Sequence, residues 1–397
     1  MIIGYFVTDF PYKNPHSGEE INRSFYGGVG NVAYNLAIAM IKRGHKVYIF
    51  TSSLDSKDSI EKYGELVIYR YKSNFMIGDS PCSIGLIYKP LFLKLSLDIV
   101  HIHAGNPPST ITGYLYSRIY KIPLVVSYHG DVILNFGTFI RKSFVYFYGS
   151  YLLPLILGYS NTVISPSINY IAGSPLLSRF QKKISVIPNG INLSAFNILL
   201  SKDDCKKKLN LPLDKKVILF LGGLNPHKNP EVLLNAMPSI LMEKPDTLLL
   251  FVGDGGLREK LENLSITLGL GESVLFAGYI EEELKPLYYK SSDIFCLTSI
   301  REPFGIVNLE AMASGIPIVA SNCGGVLDFV QDGKNGFLAS PQDSRTFSEN
   351  ILTLLKDDYK RLKMGYIGKQ MSVSYSWDKI SKLTEDIYIK LTSANKH

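Results

Sequence analysis

The stretch Arg-Glu-Pro-Phe-Gly-Ile-Val-Asn-Leu-Glu-Ala-Met-Ala, residues 301–313, lies between two short apolar runs at 293–299 and 315–321. Each run has the length and composition of a buried strand. Proline and glycine prevent a helix at residues 302–304, so the pattern predicts one short helix over residues 306–314. Strand, loop and helix therefore follow one another in the order in which open α/β sheets build a ligand crevice.

Two carboxylates flank the predicted start of this helix. Glu302 lies on the loop and Glu310 on the second helical turn, with Gly305 between them. The first N–H groups of a helix have no partner within it and attract anions, most often phosphate. A carboxylate accepts two hydrogen bonds from a diol, so the pair suits a ribose or a sugar. The alternative is a surface loop with two solvated glutamates, which is the commoner origin of an isolated pair at this spacing.

Length and composition describe a globular chain of two domains. The chain has 397 residues, of which 46% are hydrophobic and 19% are charged. Four scattered cysteines form no C-x-x-C pair, which indicates reduced thiols rather than a zinc site or a disulfide framework. The apolar start of the chain lacks a basic leader and meets Asp9 early, so we expect a first strand and a cytoplasmic location.

Positive charge is confined to the first half of the chain. Residues 1–190 hold 18 Lys and Arg against 10 Asp and Glu, a balance of +8, whereas the remainder holds 24 against 25. The chain has no basic helix or arginine stripe, so nucleic acid is not an expected partner. An anionic membrane surface or a phosphorylated partner is the better prediction.

A long uncharged segment, residues 143–178, raises the question of a membrane span. Gly149, Pro154 and Gly158 interrupt it. The pattern therefore favours a buried or interfacial helix followed by a core strand. Its tyrosines would be tolerated at a membrane interface.

The first half carries one glycine motif, Gly28-x-Gly30-x-x-Ala33, that matches a dinucleotide fingerprint. The motif lies 19 residues beyond the first predicted strand, where a dinucleotide fold needs a tight turn, so we reject nicotinamide binding. A glycine turn before a helix can bring backbone close to a phosphate. An ordinary turn remains an equally good interpretation.

Three histidines lie at the ends of two predicted strands of the first half. His101 and His103 share a strand face, and no third metal ligand is in view, so hydrogen-bonded histidines are favoured over a metal pair. His129, followed by Gly130 and Asp131, ends another strand, and α/β proteins bind ligands at such strand ends.

The second half alternates strands and helices, with glycines after the strands, and this alternation predicts a parallel sheet with a ligand crevice. Lys228 follows one strand beside such glycines and is a candidate phosphate cation, a solvated lysine being the alternative. The lysine-rich segment 201–216 is predicted to be a weakly structured boundary. The tail, residues 376–391, is predicted to be an amphipathic helix that covers an apolar surface.

Together these motifs resemble the retaining GT-B glycosyltransferases of family four, the group 1 type, over nearly the whole chain. The specific marks are Gly27-Gly28, Pro188-Asn189-Gly190-Ile191, Gly222 to Lys228, Val252 to Gly255, Phe304-Gly305 with the two glutamates, and Ser376-Trp377. The resemblance implies two facing Rossmann-like domains with parallel sheets and a deep cleft. It implies an acceptor-side domain at 1–193, a nucleotide-sugar domain at 194–375, and a helix at 376–397 that packs back on the first domain.

The resemblance also assigns residue roles. Glu310 would bind the ribose, Glu302 the hydroxyls of the donor sugar, and Lys228 the diphosphate. Gly28 would approach that diphosphate from the first domain, and His129 would touch the transferred sugar. The remaining donor-binding positions would be Gly222, Gly223, Gly253, Tyr279, Ile280, Phe304, Gly305 and Ile306, the aromatic and aliphatic pair at 279–280 bordering the base.

Two positions depart from the family pattern. Gly223 stands where many members carry an arginine, so neutralisation of the phosphates would depend more on Lys228 and the helix start. Asn192 stands where aspartate is usual.

The expected reaction is the transfer of a hexose from a nucleotide-diphosphate sugar to a glycan or lipid-linked hydroxyl, with retained configuration. The sequence has no Asp-x-Asp pair, so we expect no metal ion, and no cofactor is implied. The expected location is cytoplasmic, with peripheral contact at the inner membrane face. A nucleotide-sugar epimerase and a non-catalytic nucleotide-sugar-binding subunit remain alternatives on the same architecture.

Overall fold

The computed structural model describes residues 1–13, 28–77, 80–131 and 139–394. They fold into two compact units. The first unit comprises Met1–Pro166, Ile171–Gly190 and Trp377–His397, and the second comprises Ser167–Tyr170 and Ile191–Ser376.

The first unit contains an eight-stranded sheet within the described residues, in the order β10-β9-β8-β7-β1-β2-β4-β3. All neighbouring strands are parallel except β3 and β4, and β5 and β6 form a separate hairpin. The strand order reverses between β1 and β7, which is where open α/β sheets bind ligands. The strands are β1 Ile2–Phe6, β2 Lys46–Ser53, β3 Ser59–Tyr63, β4 Leu66–Lys72, β5 Phe75–Ile77, β6 Ser80–Cys82, β7 Ile99–Ala104, β8 Leu124–Tyr128, β9 Thr162–Ser165 and β10 Ile184–Val186.

The second unit contains a six-stranded parallel sheet within the described residues, in the order β13-β12-β11-β14-β15-β16. These strands are almost continuous apolar runs because helices cover both faces of a parallel sheet. The order reverses between β11 and β14, so the loops that follow these two strands border the expected ligand crevice. The strands are β11 Lys216–Leu221, β12 Thr247–Val252, β13 Val274–Gly278, β14 Ile294–Leu297, β15 Ile318–Ser321 and β16 Gly336–Ala339.

Helices connect most of the parallel strands, as crossover connections require. A π-helical turn, Tyr148–Leu152, joins the fourth and fifth helices into one continuous segment. The helices are α1 Gly28–Lys42, α2 Ile84–Tyr88, α3 Pro107–Tyr120, α4 Phe139–Phe147, α5 Leu153–Tyr159, α6 Ile168–Gly173, α7 Lys202–Lys208, α8 Glu231–Glu243, α9 Arg258–Thr267, α10 Lys285–Ser291, α11 Ile306–Ser314, α12 Ser344–Lys356, α13 Asp358–Ser372 and α14 Trp377–Ala394.

The C-terminal helix α14 packs on α1 in the first unit. Its first residue, Trp377, lies so close to Gly190 that a Cβ there would stand 2.4 Å from the indole ring. Glu385 forms an ion pair with Arg43 at 2.6 Å, and the Tyr388 hydroxyl lies 3.3 Å from that of Tyr5. The amphipathic tail therefore covers the α1 face of the first sheet.

The predicted strand, loop and helix around the opening stretch are confirmed: β14, α11 and β15 follow one another, and α11 has the predicted bounds. The prediction of a weakly structured segment at 201–216 is wrong, because it contains α7. The Lys206 ammonium of that helix donates to the carbonyls of Leu213 and Lys215, so the segment is folded into the second unit. Gly27, one mark of the family resemblance, lies outside the described residues.

Candidate functional site

The loops after β11 and β14 are hydrogen-bonded to each other at the crevice of the second unit. The loop after β11 ends in a short 3₁₀ helix, Pro226–Lys228. The Ile300 amide donates to the His227 carbonyl at 2.9 Å, and the Thr298 hydroxyl donates to the Lys228 carbonyl at 2.9 Å. These bonds hold the Lys228 side chain beside the loop that carries Glu302.

Lys228 and Glu302 form an ion pair in this loop cluster. The Lys228 Nζ lies 2.5 Å from Glu302 Oε2, which also accepts from the Ser299 hydroxyl at 3.0 Å. The Glu302 side chain is 7% exposed and that of Lys228 is 20% exposed. The pair places one cation and one carboxylate at the position where the sequence predicts the diphosphate and the donor sugar.

The negative charge of Glu302 acts on two further side chains that sequence reasoning missed. Burial and the Glu302 charge together raise the pKa of the Tyr170 phenol. They also raise the pKa of the Cys323 thiol to about 11. Tyr170 belongs to the segment Ser167–Tyr170 of the second unit, far from Glu302 in sequence, so no local pattern could have indicated it.

Gly305 makes the turn into α11. Its φ is +86°, in the left-handed region, and a Cβ there would stand 2.7 Å from Asn308 Nδ2. Any other residue would be strained at this position. Ile306 and Val307 are the first residues of the helix, and their amides have no acceptor within it. Such amides can donate to an anion.

Glu310 lies one helical turn further along and is buried. It accepts from the Tyr289 hydroxyl at 2.7 Å, and Lys285 Nζ lies 3.4 Å from its other oxygen. Lys285 Nζ also forms an ion pair with Glu282 Oε1 at 2.8 Å. Burial raises the pKa of Glu310, although the Lys285 charge opposes that shift. The carboxylate is thus oriented from one side by two groups of α10 and keeps acceptor capacity for a ligand.

Sequence reasoning also missed Lys285 and Tyr289. The two residues are four positions apart, a spacing that places them on one face of a helix. The sequence could therefore have paired them with each other. That this face meets Glu310 depends on the packing of α10 against α11, which is a tertiary feature.

The predicted glycines line the carboxyl edge of the second sheet. Gly222 and Gly223 follow β11, and Gly253 follows β12. Gly253 has a φ of +126°, and a Cβ there would stand 2.1 Å from the Gly222 carbonyl oxygen, so the two strand ends approach closely. Tyr279, which is 55% exposed, and Ile280 follow β13 at the same edge.

The structure thus brings most of the predicted donor-binding residues together at one edge of the second unit. The other two, Gly28 and His129, belong to the first unit. Gly28 is the exposed first residue of α1, and His129 is the first residue after β8.

His129 belongs to a row of three histidines. His103 Nδ1 lies 3.2 Å from His129 Nε2, and the His101 ring stacks on that of His103 at 4.5 Å. His101 itself contacts the Tyr388 hydroxyl at 2.5 Å and the Ser127 hydroxyl at 2.8 Å. The interpretation as hydrogen-bonded histidines is confirmed for His101 and His103.

Among the described residues, no group of three acidic, histidine or cysteine side chains is placed to hold a metal ion. In the same part of the chain, no helix is long and apolar enough to cross a membrane.

The histidine row predicts a pH-dependent stability. Burial lowers the pKa of His101 to about 3 and desolvation lowers that of His129 to about 4, against 6.5 in the unfolded chain. As pH falls below 6.5, the unfolded chain binds protons that the folded chain does not, so stability falls. Each group contributes about 1.4 kcal/mol per pH unit in this window. Asp9 opposes the effect, because burial raises its pKa to about 6.

We therefore expect the urea midpoint of wild type to fall between pH 7 and pH 5. The variant His101→Asn, which carries one buried histidine fewer, should lose less over the same interval. Equal losses in both proteins, or a midpoint independent of pH, would contradict this assignment.

Two family sequence models match the chain. The model described as glycosyl transferases group 1 matches residues 201–371, and the model described as glycosyltransferase family 4 matches residues 26–195. An uncharacterized glycosyltransferase of Methanocaldococcus jannaschii is 28% identical over 91% of this chain and 94% of the relative. The phosphatidyl-myo-inositol mannosyltransferase of Mycobacterium leprae is 27% identical over 91% of this chain and 92% of the relative.

Solved structures resemble the chain over nearly its full length. Sucrose-phosphate synthase from Thermosynechococcus elongatus aligns with a TM-score of 0.80 and 23% identity, covering 99% of both chains. HepE from Anabaena, solved with UDP-glucose, aligns with a TM-score of 0.75 and 19% identity, covering 98% of this chain and 100% of HepE. These likenesses establish the fold, and the predicted GT-B class with two α/β domains and mainly parallel sheets is confirmed.

Proposed function

Because the chain belongs to the group 1 glycosyltransferases of family four, we propose that it transfers a hexose from a nucleotide-diphosphate sugar to a hydroxyl acceptor with retention of configuration. One observation carries this proposal: the Lys228–Glu302 ion pair lies beside the turn at Gly305 that opens α11, and Glu310 follows on the second turn of that helix. A cation and free amides suit a diphosphate, and the two carboxylates suit ribose and sugar hydroxyls.

The diphosphate is the part of the donor on which negative charge develops during transfer. The amides of Ile306 and Val307 and the ammonium of Lys228 stabilise that charge, and such preorganised donors act most strongly where water is excluded. Lys228 pairs with Glu302 at 2.5 Å before the donor arrives. When a phosphate oxygen replaces Glu302 as the partner of Lys228, a Glu302 oxygen becomes available to the sugar hydroxyls.

The transfer breaks the bond between the anomeric carbon and the phosphate oxygen and forms one to the acceptor oxygen. The departing phosphate accepts the proton of the acceptor hydroxyl, so the reaction needs no separate general base. The family resemblance assigns His129 to the transferred sugar and Gly28 to the diphosphate, and these two roles stay predictions.

Nucleotide sugars as a donor class are supported by the likeness to HepE, which was solved with UDP-glucose. A thermal-shift screen of nucleotide sugars tests the class, because a ligand that binds only the folded state raises its stability. At a concentration 100-fold above Kd the expected stabilisation is about 2.7 kcal/mol. The absence of a shift with every nucleotide sugar would contradict the proposal.

Acceptor dependence separates transfer from the two alternative activities. A transferase releases nucleoside diphosphate faster when an acceptor is added, whereas an epimerase converts the donor without an acceptor. A non-catalytic subunit binds the donor and releases nothing. Assay of free nucleoside diphosphate with and without a panel of acceptors distinguishes the three.

Transfer is expected to survive the removal of divalent ions. The reason is that Lys228 and the amides at the start of α11 supply positive charge to the diphosphate, and the sequence has no Asp-x-Asp pair. Activity should therefore be unchanged, within about a factor of two, after chelation. A loss of activity on chelation that magnesium restores would show that a metal ion does this work.

We further propose that the acceptor is carried on a lipid at the inner face of the membrane. Residues 1–190 hold the excess positive charge of +8. The segment from α4 to α5 exposes five large apolar or aromatic side chains, each 42–62% exposed: Tyr146, Phe147, Tyr151, Leu155 and Tyr159. A relative of similar length is named for transfer to phosphatidyl-myo-inositol. Apolar contact and basic charge together are what peripheral membrane binding requires.

Further exposed apolar side chains lie on neighbouring elements. Helix α3 lies between α5 and α2, since Tyr114 meets Tyr159 edge-on at 5.1 Å and Thr112 donates to the Leu86 carbonyl at 2.9 Å. On α2, α3 and the neighbouring hairpin, further large apolar side chains are about half exposed: Phe75, Met76, Ile84, Tyr88 and Ile119. These side chains lie in the same unit as the excess basic charge, which favours an acceptor at a membrane over a soluble sugar.

Flotation with anionic vesicles tests the membrane proposal. Wild type should bind, and binding should fall as salt rises, since each well-placed Lys or Arg contributes about 1 kcal/mol through a screened attraction. The double variant Phe147→Ser, Tyr151→Ser should bind at least tenfold more weakly.

The matched control is Tyr359→Ser, Tyr366→Ser on α13 of the second unit, where both tyrosines are also well exposed. That variant should bind as wild type does. If wild type bound no vesicles of any charge, the membrane proposal would be wrong and a soluble acceptor would be favoured.

A further inference from the structure

The contact between His103 and His129 fixes where one proton lies. His103 Nδ1 and His129 Nε2 are 3.2 Å apart, and the two rings are nearly parallel at 11°. Desolvation lowers the pKa of both rings, that of His129 to about 4, so both are neutral at pH 7. A neutral imidazole has one N–H and one acceptor nitrogen, so one ring donates across the contact and the other accepts.

The second nitrogen of His103 decides between the two arrangements. His103 is 1% exposed, and its Nε2 has no hydrogen-bond partner among the described residues. If His129 were the donor, His103 would carry its proton on Nε2, as a buried N–H without an acceptor. Buried N–H groups without an acceptor are rarer and more costly than acceptors without a donor. His103 is therefore the donor, through Nδ1.

The surroundings hold His103 in this orientation. The Tyr5 ring meets it edge-on at 5.1 Å, and the His101 ring stacks on it at 4.5 Å. Both nitrogens of His101 are already engaged by the hydroxyls of Tyr388 and Ser127. His101 therefore offers no competing partner, and it is equally buried on the same face of β7.

We infer that His103 is a positioning residue that sets the tautomer of His129, so that His129 carries its proton on Nδ1 and presents an N–H to a bound ligand. His129 accepts the hydrogen bond from His103 through Nε2, so its other nitrogen, Nδ1, remains for a ligand. His129 is only partly buried, which allows that contact. An N–H donor fits an oxygen acceptor, a sugar hydroxyl or a phosphate oxygen, and no proton is transferred. The identity of that ligand as the donor sugar rests on the proposed function.

The tautomer is measured directly by nitrogen NMR of protein labelled with ¹⁵N-histidine at pH 7, without substrate. His129→Gln identifies the His129 signals among those of the seven histidines. We expect a protonated Nδ1 and an unprotonated Nε2 on His129. A protonated Nε2 on His129 in wild type would overturn the inference.

Three variants separate positioning from packing. In His103→Asn the amide N–H can replace the Nδ1–H of histidine, so the His129 tautomer should be kept, whereas His103→Leu should shift it toward Nε2–H. His101→Leu, the matched control, removes an equally buried ring and should leave the His129 tautomer unchanged. An unchanged tautomer in His103→Leu would also overturn the inference. If His103→Leu does not fold, the wild-type spectrum and His103→Asn decide.

Turnover gives a second readout. The value of kcat should fall about tenfold in His103→Leu, the worth of one misdirected hydrogen bond, and recover in His103→Asn, with KM for the donor little changed. Because the NMR measurement needs no substrate, failure of the proposed function leaves the tautomer result standing. Failure of the tautomer prediction likewise leaves the proposed function untouched.

Discussion

Replacing Lys228 with alanine is expected to lower kcat by about 10²–10³-fold, the effect of removing one preorganised donor from a developing negative charge. The second cation that many family members carry is absent here, because position 223 is glycine. Lys228 is the cation that the structure places beside Glu302, at 2.5 Å. In the proposed mechanism its loss removes a charged donor, and the amides at the start of α11 remain to stabilise the departing diphosphate.

The variant also removes the partner of a buried carboxylate, so its stability must be measured beside its kinetics. Breaking a buried pair by removing one member costs about 3–5 kcal/mol, and less where a partner is partly exposed, as Lys228 is. Lys202→Ala is the control for an ion pair lost outside the site, because Lys202 pairs with the buried Asp293 at 2.6 Å at the amino end of β14. Parallel strands place that end at the opposite edge of the sheet from Lys228.

Asp293 keeps Arg361 at 3.7 Å and Lys216 at 3.8 Å after Lys202 is removed, so Lys202→Ala should lose less stability than Lys228→Ala. Only Lys228→Ala should lose turnover. Steady-state kinetics and urea unfolding on both would measure the difference. Equal turnover in the two variants, after correction for the folded fraction, would show that Lys228 does not act in the site.

Glu310→Ala is expected to weaken donor binding by about 1.5–3 kcal/mol, or roughly tenfold to 150-fold, the worth of a hydrogen bond to a charged group. The effect should be on Kd and KM for the donor, since ribose is bound alike in the ground state and the transition state. Glu302→Gln, which acts on the reacting sugar, should instead lower kcat.

A matched control separates ribose binding from internal packing. Tyr289→Phe removes the hydroxyl that donates to Glu310 at 2.7 Å and keeps the carboxylate. It should weaken donor binding by less than tenfold. If Tyr289→Phe reproduced the full effect of Glu310→Ala, the glutamate would be holding α10 to α11 rather than a ligand.

The sequence was sufficient for features that depend on local rules. Pro303 and Gly305 exclude helix before Ile306, so the start of α11 and the loop position of Glu302 follow from backbone restrictions alone. The same rules gave the alternation of strands and helices in the second unit. Local rules also showed that His101 and His103 share a strand face, because the period of a strand is two.

The sequence was insufficient wherever a partner comes from a distant element. Tyr170 is placed near the Glu302 charge by the path of the chain through Ser167–Tyr170, and no periodicity encodes that path. The contact of His103 with His129 depends on the pairing of β7 with β8. The helix α7 was missed because its run of lysines resembles a solvated linker, whereas Ser201 caps the helix and Cys205 is buried beneath it.

We propose that the start of α11 binds a nucleotide sugar between Glu302 and Glu310. The most direct measurement is a crystal structure of the protein with the nucleotide sugar selected by the thermal-shift screen. We predict diphosphate oxygens within hydrogen-bond distance of the Ile306 and Val307 amides and of Lys228 Nζ, with the ribose hydroxyls on Glu310. A nucleotide bound elsewhere, with Lys228 still paired to Glu302, would contradict the account.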